Sequence, residues 1–527
     1  MFAPANTAHF ALLMPAVRND FQVLGFNGTE AISHLYAIQI ELVSEFPDFD
    51  LESLLSQPAF LQFGLNGEGI HGRLEDVFVG ETGKRLTRYH LTLVPALHYL
   101  QFSHNQRIFQ HLTVPQIVAQ VLQGHGIQAD AYTFHVSTSP EREYCTQYGE
   151  SDFEFIQRLC SEDGISWHHQ HSVEGHHLVF TDDQTFFPKL GGTPYQQGCG
   201  LVAEHPVVSQ FSMRFSTRTS TATRRGYDPA RPSLLLQSQF TAEFSPALED
   251  YRYPVLHENE KLGRQLARQS LERHRADYQL AEGKSDQPTL RSGYFFDLTE
   301  HPRQQCNDLW LLLSVTHSGK QPQVLEEAIT SDVESADGFT QGYRNSFSAI
   351  PWDVFYRPPL VTRKTMLVSQ TARVTGPKGE DIHCDKYGRV KVEFHWDRAE
   401  LGSDKSSCWL RVSSSWAGDG FGTVTIPRVG MEVVVTYLEG NPDNPLITGC
   451  VPNKVTPVPY PLPANKTKTV LRSQSSPASG GYNELSIEDR SGQELIYLRA
   501  QRDMEQKIEH DSRLEVGNER RETIQGQ

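Results

Sequence analysis

The segment WHHQHSVEGHH, residues 167 to 177, gathers five histidines and is where this sequence comes nearest to a metal site. Neutral imidazoles are good zinc ligands, and a hairpin turning at Ser172 to Gly175 brings His169, His171 and His176 onto one face. Such a set would suit a metal-dependent hydrolase. No carboxylate is placed to orient the rings, however, and metal-bound histidines rely on such partners. The reading adopted is an exposed hairpin whose histidines are polar surface, with no metal. Elsewhere WAGDGFG, residues 416 to 422, is glycine-rich, but it runs into the β-branched TVTIP rather than a helix, and no Lys-Ser or Lys-Thr follows to hold phosphate. It reads as a flexible or sharply turned loop. HExxH, GxSxG and Cys-His constellations are absent, and the carboxylates after Asn483 alternate in exposed positions where nothing would raise a pKa. No catalytic residue and no cofactor are assigned.

Charge narrows the partners. The 527 residues carry 64 acidic against 48 basic side chains, a formal net charge of -16, which argues against general affinity for nucleic acid or anionic membrane. Seven cysteines, far apart and without a CxxC pair, suggest neither a disulfide framework nor a thiolate zinc site. The apolar run FALLMPAV, residues 10 to 17, is broken by Pro15 and lacks a preceding basic region, so it fails as a secretory signal. No stretch approaches the length of a membrane span.

The elements that must position these residues change along the chain. Thr113 to Gln116 forms a capping box ahead of Ile117, Val118, Val121 and Leu122, and Ser151 to Glu154 repeats the device ahead of Ile156, Leu159 and Cys160. A third helix is predicted over 261 to 278, with Leu262, Leu266 and Leu271 inward and Arg264, Arg268, Arg273 and Arg275 on its solvated side. Alternating runs such as YAIQIELVSEF surround these helices, so the first 375 residues read as α+β and mostly sheet. From 376 to 453 short strands follow one another: DKYGRVKVEFHWDR, SCWLRVSSS, GTVTIPR, EVVVTYL and PLITGCV. Five strands suggest a small OB-type barrel. Such barrels can stack bases on aromatics beside basic residues, here Phe394, Trp396 and Trp409 with Arg389, Lys391 and Arg411. Yet Val390, Val392, Phe394 and Trp396 share one face, which makes those aromatics core and leaves no nucleic-acid partner assigned. Residues 454 to 482, rich in Pro and Ser, read as a linker without regular structure. From 483 to 527 sparse apolar pairs recur among charges: Leu485 with Ile487, Leu495 with Tyr497, Leu514 with Val516. Strands this poor in apolar residues cannot form a core alone.

The passages EYCTQYGESDFEFIQRLCSEDGISWHH, DKYGRVKVEFHWDR, SSCWLRVSSSWAGDGFGTVTIPRVGMEVVVTYLEGNPDNPLITGCV and NELSIEDRSGQELIYLRAQRD resemble the VgrG spike proteins of bacterial type VI secretion systems. The resemblance covers essentially the whole chain. It implies a mainly β architecture: a phage-hub-like region of two related β-barrels with helical insertions (1–375), an OB-fold neck (376–453), the linker, and the start of a trimeric β-helix or β-prism (483–527). The six tail residues just named would then face a three-fold axis. The implied function is a homotrimeric puncturing spike at the tip of the Hcp tube, seated on a baseplate, carrying a PAAR-type tip protein, effector cargo and adaptors, and contacting the target membrane mechanically. The implied location is cytoplasmic during assembly, then secreted through the system. The alternative is an enzyme-bearing spike or a hydrolase using the histidine hairpin. The spike is expected to be truncated, with any effector extension lying beyond residue 527.

Overall fold

The structure, a computed structural model, describes residues 10–64, 66–83, 85–197, 205–255, 259–325, 338–363, 365–366 and 368–526. The chain divides into two compact units: Met1–Met366 with Glu439–Asp443, and Leu367–Leu438 with Asn444–Gln527.

In the first unit, alternation of apolar and polar residues produces strands with one buried face. In His34–Ser44, Tyr36, Ile38, Ile40 and Leu42 are buried at every second position. The apolar run at residues 10 to 17 serves the same core: Ala11–Leu13 is a strand, and Phe10, Leu12 and Met14 are buried. A 12-stranded sheet results, whose central path runs Ala11–Leu13, Pro58–Gln62, Gly69–Thr82, Thr87–Val94, His34–Ser44, Gln22–Ala31, Leu309–Lys320, Gly342–Pro351, Gln279–Ser285 and Val208–Phe215. Strands from residues 11–94 and from residues 208–351 are thus joined in one sheet. Leu309–Lys320 makes the joint, pairing with Gln22–Ala31 on one side and Gly342–Pro351 on the other. There Gly319 lies opposite Phe26, and a Cβ on it would fall 2.2 Å from that ring, so only glycine fits.

Both capped helices form, as Val114–Gly124 and Asp152–Asp163. In the second, Ser151 and Glu154 bond reciprocally, at 3.1 and 2.8 Å. Their apolar faces pack on the sheet of Tyr132–His135, Ser166–His171 and His176–Thr181 around Trp167 and Phe180. The third helix is Glu260–Arg275, and here the expected division of faces needs correction. Its buried residues are Gly263, Ala267, Gln269, Ser270 and Leu271. Arg273 is not free on the solvated side: it donates to the carbonyls of Ser161 at 2.7 Å and Pro358 at 2.8 Å.

The second unit begins earlier than the division at 375 and 376 would have it, because Gln370–Thr375 is an interior strand of its sheet. The order is Lys391–Phe394, Gln370–Thr375, Glu432–Tyr437, Pro445–Val451, Arg411–Val412. A bridge between Val390 and Leu410 joins the two ends, completing a five-stranded barrel. The segment GTVTIPR, read as a strand from its β-branched residues, carries none; Val424 is 82% exposed and Pro427 offers no N–H for a ladder. Residues 454 to 482 likewise depart from an irregular linker. Thr469, Val470 and Leu471 alternate well enough for Lys468–Arg472 to pair antiparallel with Glu484–Glu488.

Val390, Val392 and Phe394 are buried in the barrel, whereas Lys391 is half-buried with its ammonium 5.2 Å from the Trp409 ring. Phe394→Ala should therefore lower stability by about 3–5 kcal/mol through the cavity it leaves, and Lys391→Ala by about 0.5–1 kcal/mol through the lost cation–π contact. Denaturant titration followed by tryptophan fluorescence checks both. Equal small effects would invert the assignment of faces.

Candidate trimerisation surface and a buried histidine cluster

The tail forms a three-stranded sheet, Lys468–Arg472, Glu484–Glu488 and Leu495–Arg499. Its register pairs Leu471 with Leu485, Leu485 with Leu498, and Ile487 with Ile496, and directly opposed residues share a face. One face therefore presents Leu471, Leu485, Ile487, Ile496 and Leu498. All five are exposed, at 71, 41, 37, 73 and 59%. The chain covers the other face only in part: Glu484 and Ser486 are buried, and Glu484 accepts from Tyr460 Oη at 2.6 Å and Arg472 Nε at 2.5 Å, while Leu495 and Tyr497 on that face are 58 and 41% exposed.

This register separates residues that the alternation had grouped. Leu495 and Tyr497 pair with Glu488 and Ser486, so they lie on the face opposite Leu485 and Ile487. The expectation that all four point to one axis is corrected on that point. Ile496 and Leu498 take their place, because the run LIYLR is apolar at consecutive positions and gives alternation no preferred phase. Beyond Arg499, residues 500 to 526 form neither strand nor helix, and Leu514 and Val516 stand 66 and 46% exposed.

The second feature lies in the first unit. The histidine hairpin forms where expected, with Ser172 N–H donating to the Gly175 carbonyl at 2.8 Å and His171 opposite His176. It is not an exposed surface hairpin. His168 and His169 are buried, His171 and His176 are half-buried, and His169, His171 and His176 all pack around the Tyr36 ring. A carboxylate is also present: Glu30 is buried, 3.6 Å from His171 Nε2 and 3.1 Å from His317 Nε2. Sequence reading missed Glu30, His71 and His317 because each stands on a strand remote in sequence, with no local pattern to announce it.

Hydrogen-bond directions fix the protons. The Ala96 backbone N–H donates to His176 Nε2 at 2.9 Å, so that nitrogen offers a lone pair and the ring proton sits on Nδ1. His176 Nδ1 faces His71 Nδ1 at 2.9 Å, a gap with room for one proton, which His176 donates and His71 accepts. The His71 backbone N–H in turn donates to His171 Nδ1 at 3.3 Å, leaving the His171 proton on Nε2, toward Glu30. Around His317, Asn345 Nδ2 donates to Tyr343 Oη at 3.2 Å, Tyr343 Oη donates to His317 Nδ1 at 2.6 Å, and His317 Nε2 donates to Glu30. Every imidazole so placed is neutral. The ring lone pairs of His71, His171 and His176 are committed to N–H groups and that of His317 to the Tyr343 O–H, and no group of three or more His, Cys, Asp or Glu among the described residues is disposed to hold a metal.

Burial reinforces the neutral state. It pulls His71 down to about 4 and His176 to about 3, with neighbouring histidines and Arg73 acting in the same direction. Burial likewise lowers His169 well below the ordinary histidine range and His168 to about 3; His168 has no hydrogen-bond partner on either ring nitrogen. For Glu30 burial alone would raise the pKa. The hydrogen bond from His317, the His171 Nε2–H nearby and the charge of Arg291 outweigh it and hold the carboxyl ionised far below the usual range.

Comparison with known proteins places both features in a family. Residues 29–323 match the phage tail baseplate hub family, residues 373–451 the type VI secretion system/phage-baseplate injector OB domain, and residues 469–527 the bacteriophage T4 gp5 C-terminal trimerisation domain. Two Pseudomonas aeruginosa proteins, the type VI secretion system spike proteins VgrG4b and VgrG5, are 57 and 54% identical over the entire chain, which spans 66 and 68% of their lengths. The Vibrio cholerae actin cross-linking toxin VgrG1 is 35% identical over 95% of the chain, which spans 47% of that protein. Among solved structures, the E. coli c3393 protein, a type VI secretion component likened to T4 tail proteins gp27 and gp5, superposes with a TM-score of 0.62 at 24% identity, covering 84% of this chain and all of that one. The fold is therefore that of a phage hub followed by an OB barrel, and the chain belongs to the VgrG family of type VI secretion system spike proteins.

Proposed function

We propose that three copies of this chain assemble into the puncturing spike of a type VI secretion system, joined along the bare apolar face of the tail. The observation that carries this reading is the set Leu471, Leu485, Ile487, Ile496 and Leu498, exposed together on one face of a sheet whose other face the chain covers at Glu484 and Ser486. Burying each such side chain contributes roughly 1.5–3 kcal/mol, and a three-fold axis brings each against its own copies. Leu514 and Val516 continue the same packing further along, where residues 500 to 526 have no strand partner in their own chain and would find it in the neighbouring copies.

The neck supports the same assembly. At residues 416 to 423 the Thr423 N–H donates to the Trp416 carbonyl at 2.9 Å and the Gly418 N–H to the Phe421 carbonyl at 2.8 Å, so the glycine-rich segment is a tight hairpin and not a flexible loop. Its rings, Trp416 and Phe421, are 61 and 60% exposed and meet edge to face at 5.6 Å. A rigid, bare aromatic pair suits contact with another copy of the neck.

In this reading the hub seats on the Hcp tube at the baseplate, and the far end of the spike receives a PAAR-type tip and effectors. A VgrG bound to PdpA in Francisella has the same general fold, with a TM-score of 0.55 over 90% of this chain, and so lends support to a carrier role. The protein assembles in the cytoplasm and leaves through the type VI system. The present residues supply a structural spike rather than an enzyme. The actin cross-linking activity in the name of the Vibrio relative belongs to a protein more than twice as long as the matched segment.

Two measurements bear on this. Leu485→Asp with Ile487→Asp places six carboxylates about one axis, where they cannot all ionise without large cost, and native mass spectrometry should register a shift from trimer to monomer. Tyr497→Ser, on the opposite face, should leave the trimer intact; dissociation by Tyr497→Ser alone would overturn the face assignment. For the hub, the wild-type protein should co-purify with its own organism's tube protein, and absence of binding to preassembled tubes would contradict the docking role.

A further inference from the structure

Nothing in the spike reading uses the histidine cluster, although it joins elements far apart in sequence: the hairpin strands Ser166–His171 and His176–Thr181, the strand Gly69–Thr82, Ala96, and the central strands bearing Glu30 and His317. A structural cluster could have been built from hydroxyls and amides. This one is built from groups that change charge between pH 5 and 8 when exposed.

We propose that the cluster is an acid-sensitive clasp, which holds the 166–181 hairpin against the Gly69–Thr82 strand while its imidazoles are neutral and lets go when they take up second protons.

The geometry sets the mechanism. A second proton on His176 must go to Nε2, where the Ala96 N–H already points from 2.9 Å away. A second proton on His71 must go to Nδ1, where the His176 Nδ1 proton already points from 2.9 Å away. In both cases two N–H groups would face each other across a hydrogen-bond distance, so protonation and the closed arrangement exclude one another. The His71 contact broken this way attaches the hairpin to the Gly69–Thr82 strand, and the Ala96 contact attaches it to the start of the 96–102 turn.

The surroundings offer little compensation. From the strand of His71 itself, Arg73 adds positive charge, and from the 291–294 loop Arg291 does the same. His168 and His169 face the cluster from the hairpin, His135 and His177 act on His168 from beside it, and His317 faces it from the central sheet. Tyr36 is buried, Tyr294 and Tyr343 are half-buried, and desolvation keeps all three un-ionised. Among the described residues Glu30 is the carboxylate that acts on His168, His169 and His317, and it is engaged by His317 and by the Ser292 N–H at 3.1 Å. The sign follows: His71 and His176 are held below the ordinary 6.5 in the closed form, so the closed state is fully favoured above that pH. It loses ground as pH falls from 6.5 toward the closed-state values near 4 and 3. Two protons taken up on opening make the opening equilibrium rise by up to about 100-fold per pH unit in that window.

Amide hydrogen exchange of the full chain, read by mass spectrometry at pH 7.5, 6.5 and 5.5 with labelling times scaled for the chemical rate, tests this. Peptides covering 166–181 and 69–82 should lose protection by about 10- to 100-fold between pH 6.5 and 5.5, while a barrel peptide covering 370–375 should not. His176→Gln keeps a neutral donor and acceptor at that position and cannot be charged, so it should flatten the response. Unchanged wild-type protection down to pH 5.5, or an identical response in His176→Gln, overturns the clasp. Should that variant not fold, exchange at the imidazole C2 carbons of the wild type reads the same claim directly: midpoints for His71 and His176 below about 5 support it, and midpoints of 6 or above refute it.

Discussion

The constraint on which the rest of the molecule depends is that its terminal sheet leaves five apolar side chains bare together on one face. Tyr460 and Arg472 close over Glu484 on one side, and nothing in the same compact unit closes over Leu485 and Ile487 on the other. A small sheet with a bare apolar face is not a stable end state in water. Assembly with identical copies resolves this without any new sequence, since each apolar residue then meets its own equivalents. The same logic accounts for the charged residues between the apolar pairs, which remain mostly in solvent.

The other parts of the chain need no such help. The first unit has its own apolar clusters along its sheet, among them Val23 with Ile40, Leu311 with Ile350, and Phe347 with Trp310, and several of its buried charges are paired. Arg158, almost wholly buried, is held by Glu150 at 2.9 Å, Glu162 at 3.2 Å and the Thr146 carbonyl at 3.1 Å. Leaving any one of those charges unpaired would cost far more than the group contributes when paired, which favours one arrangement of strands and helices over close alternatives. The barrel is likewise complete, filled by Val374, Val390, Val392, Phe394, Val433 and Val435. Self-sufficient units at one end and an incomplete sheet at the other suit a device that must fold first and join afterwards.

Local pattern carried a good part of this. The capping boxes at Thr113 and Ser151, the buried phase of Val390 to Phe394 and the turn at Ser172 to Gly175 were all readable, because each depends on residues within a few positions of one another. What failed depended on partners remote in the chain. GTVTIPR has the composition of a strand but no neighbouring strand to pair with, whereas Lys468–Arg472 sits among prolines and serines yet finds Glu484–Glu488. Leu495 and Tyr497 were placed with Leu485 by alternation alone, and only the register shows that Ile496 and Leu498 hold that face. The histidines were read as surface because Glu30, His71 and Tyr36 approach them from other strands.

The central claim is that the bare face of the tail is a contact between copies of this chain. The most direct measurement is the mass of the intact wild-type protein in native conditions at micromolar concentration. The account predicts a species of three times the 59.6 kDa chain, with the region after Gly481 resistant to protease in that species. A single-chain mass accompanied by an equally resistant tail would contradict it, because the tail would then have found its partner within one chain.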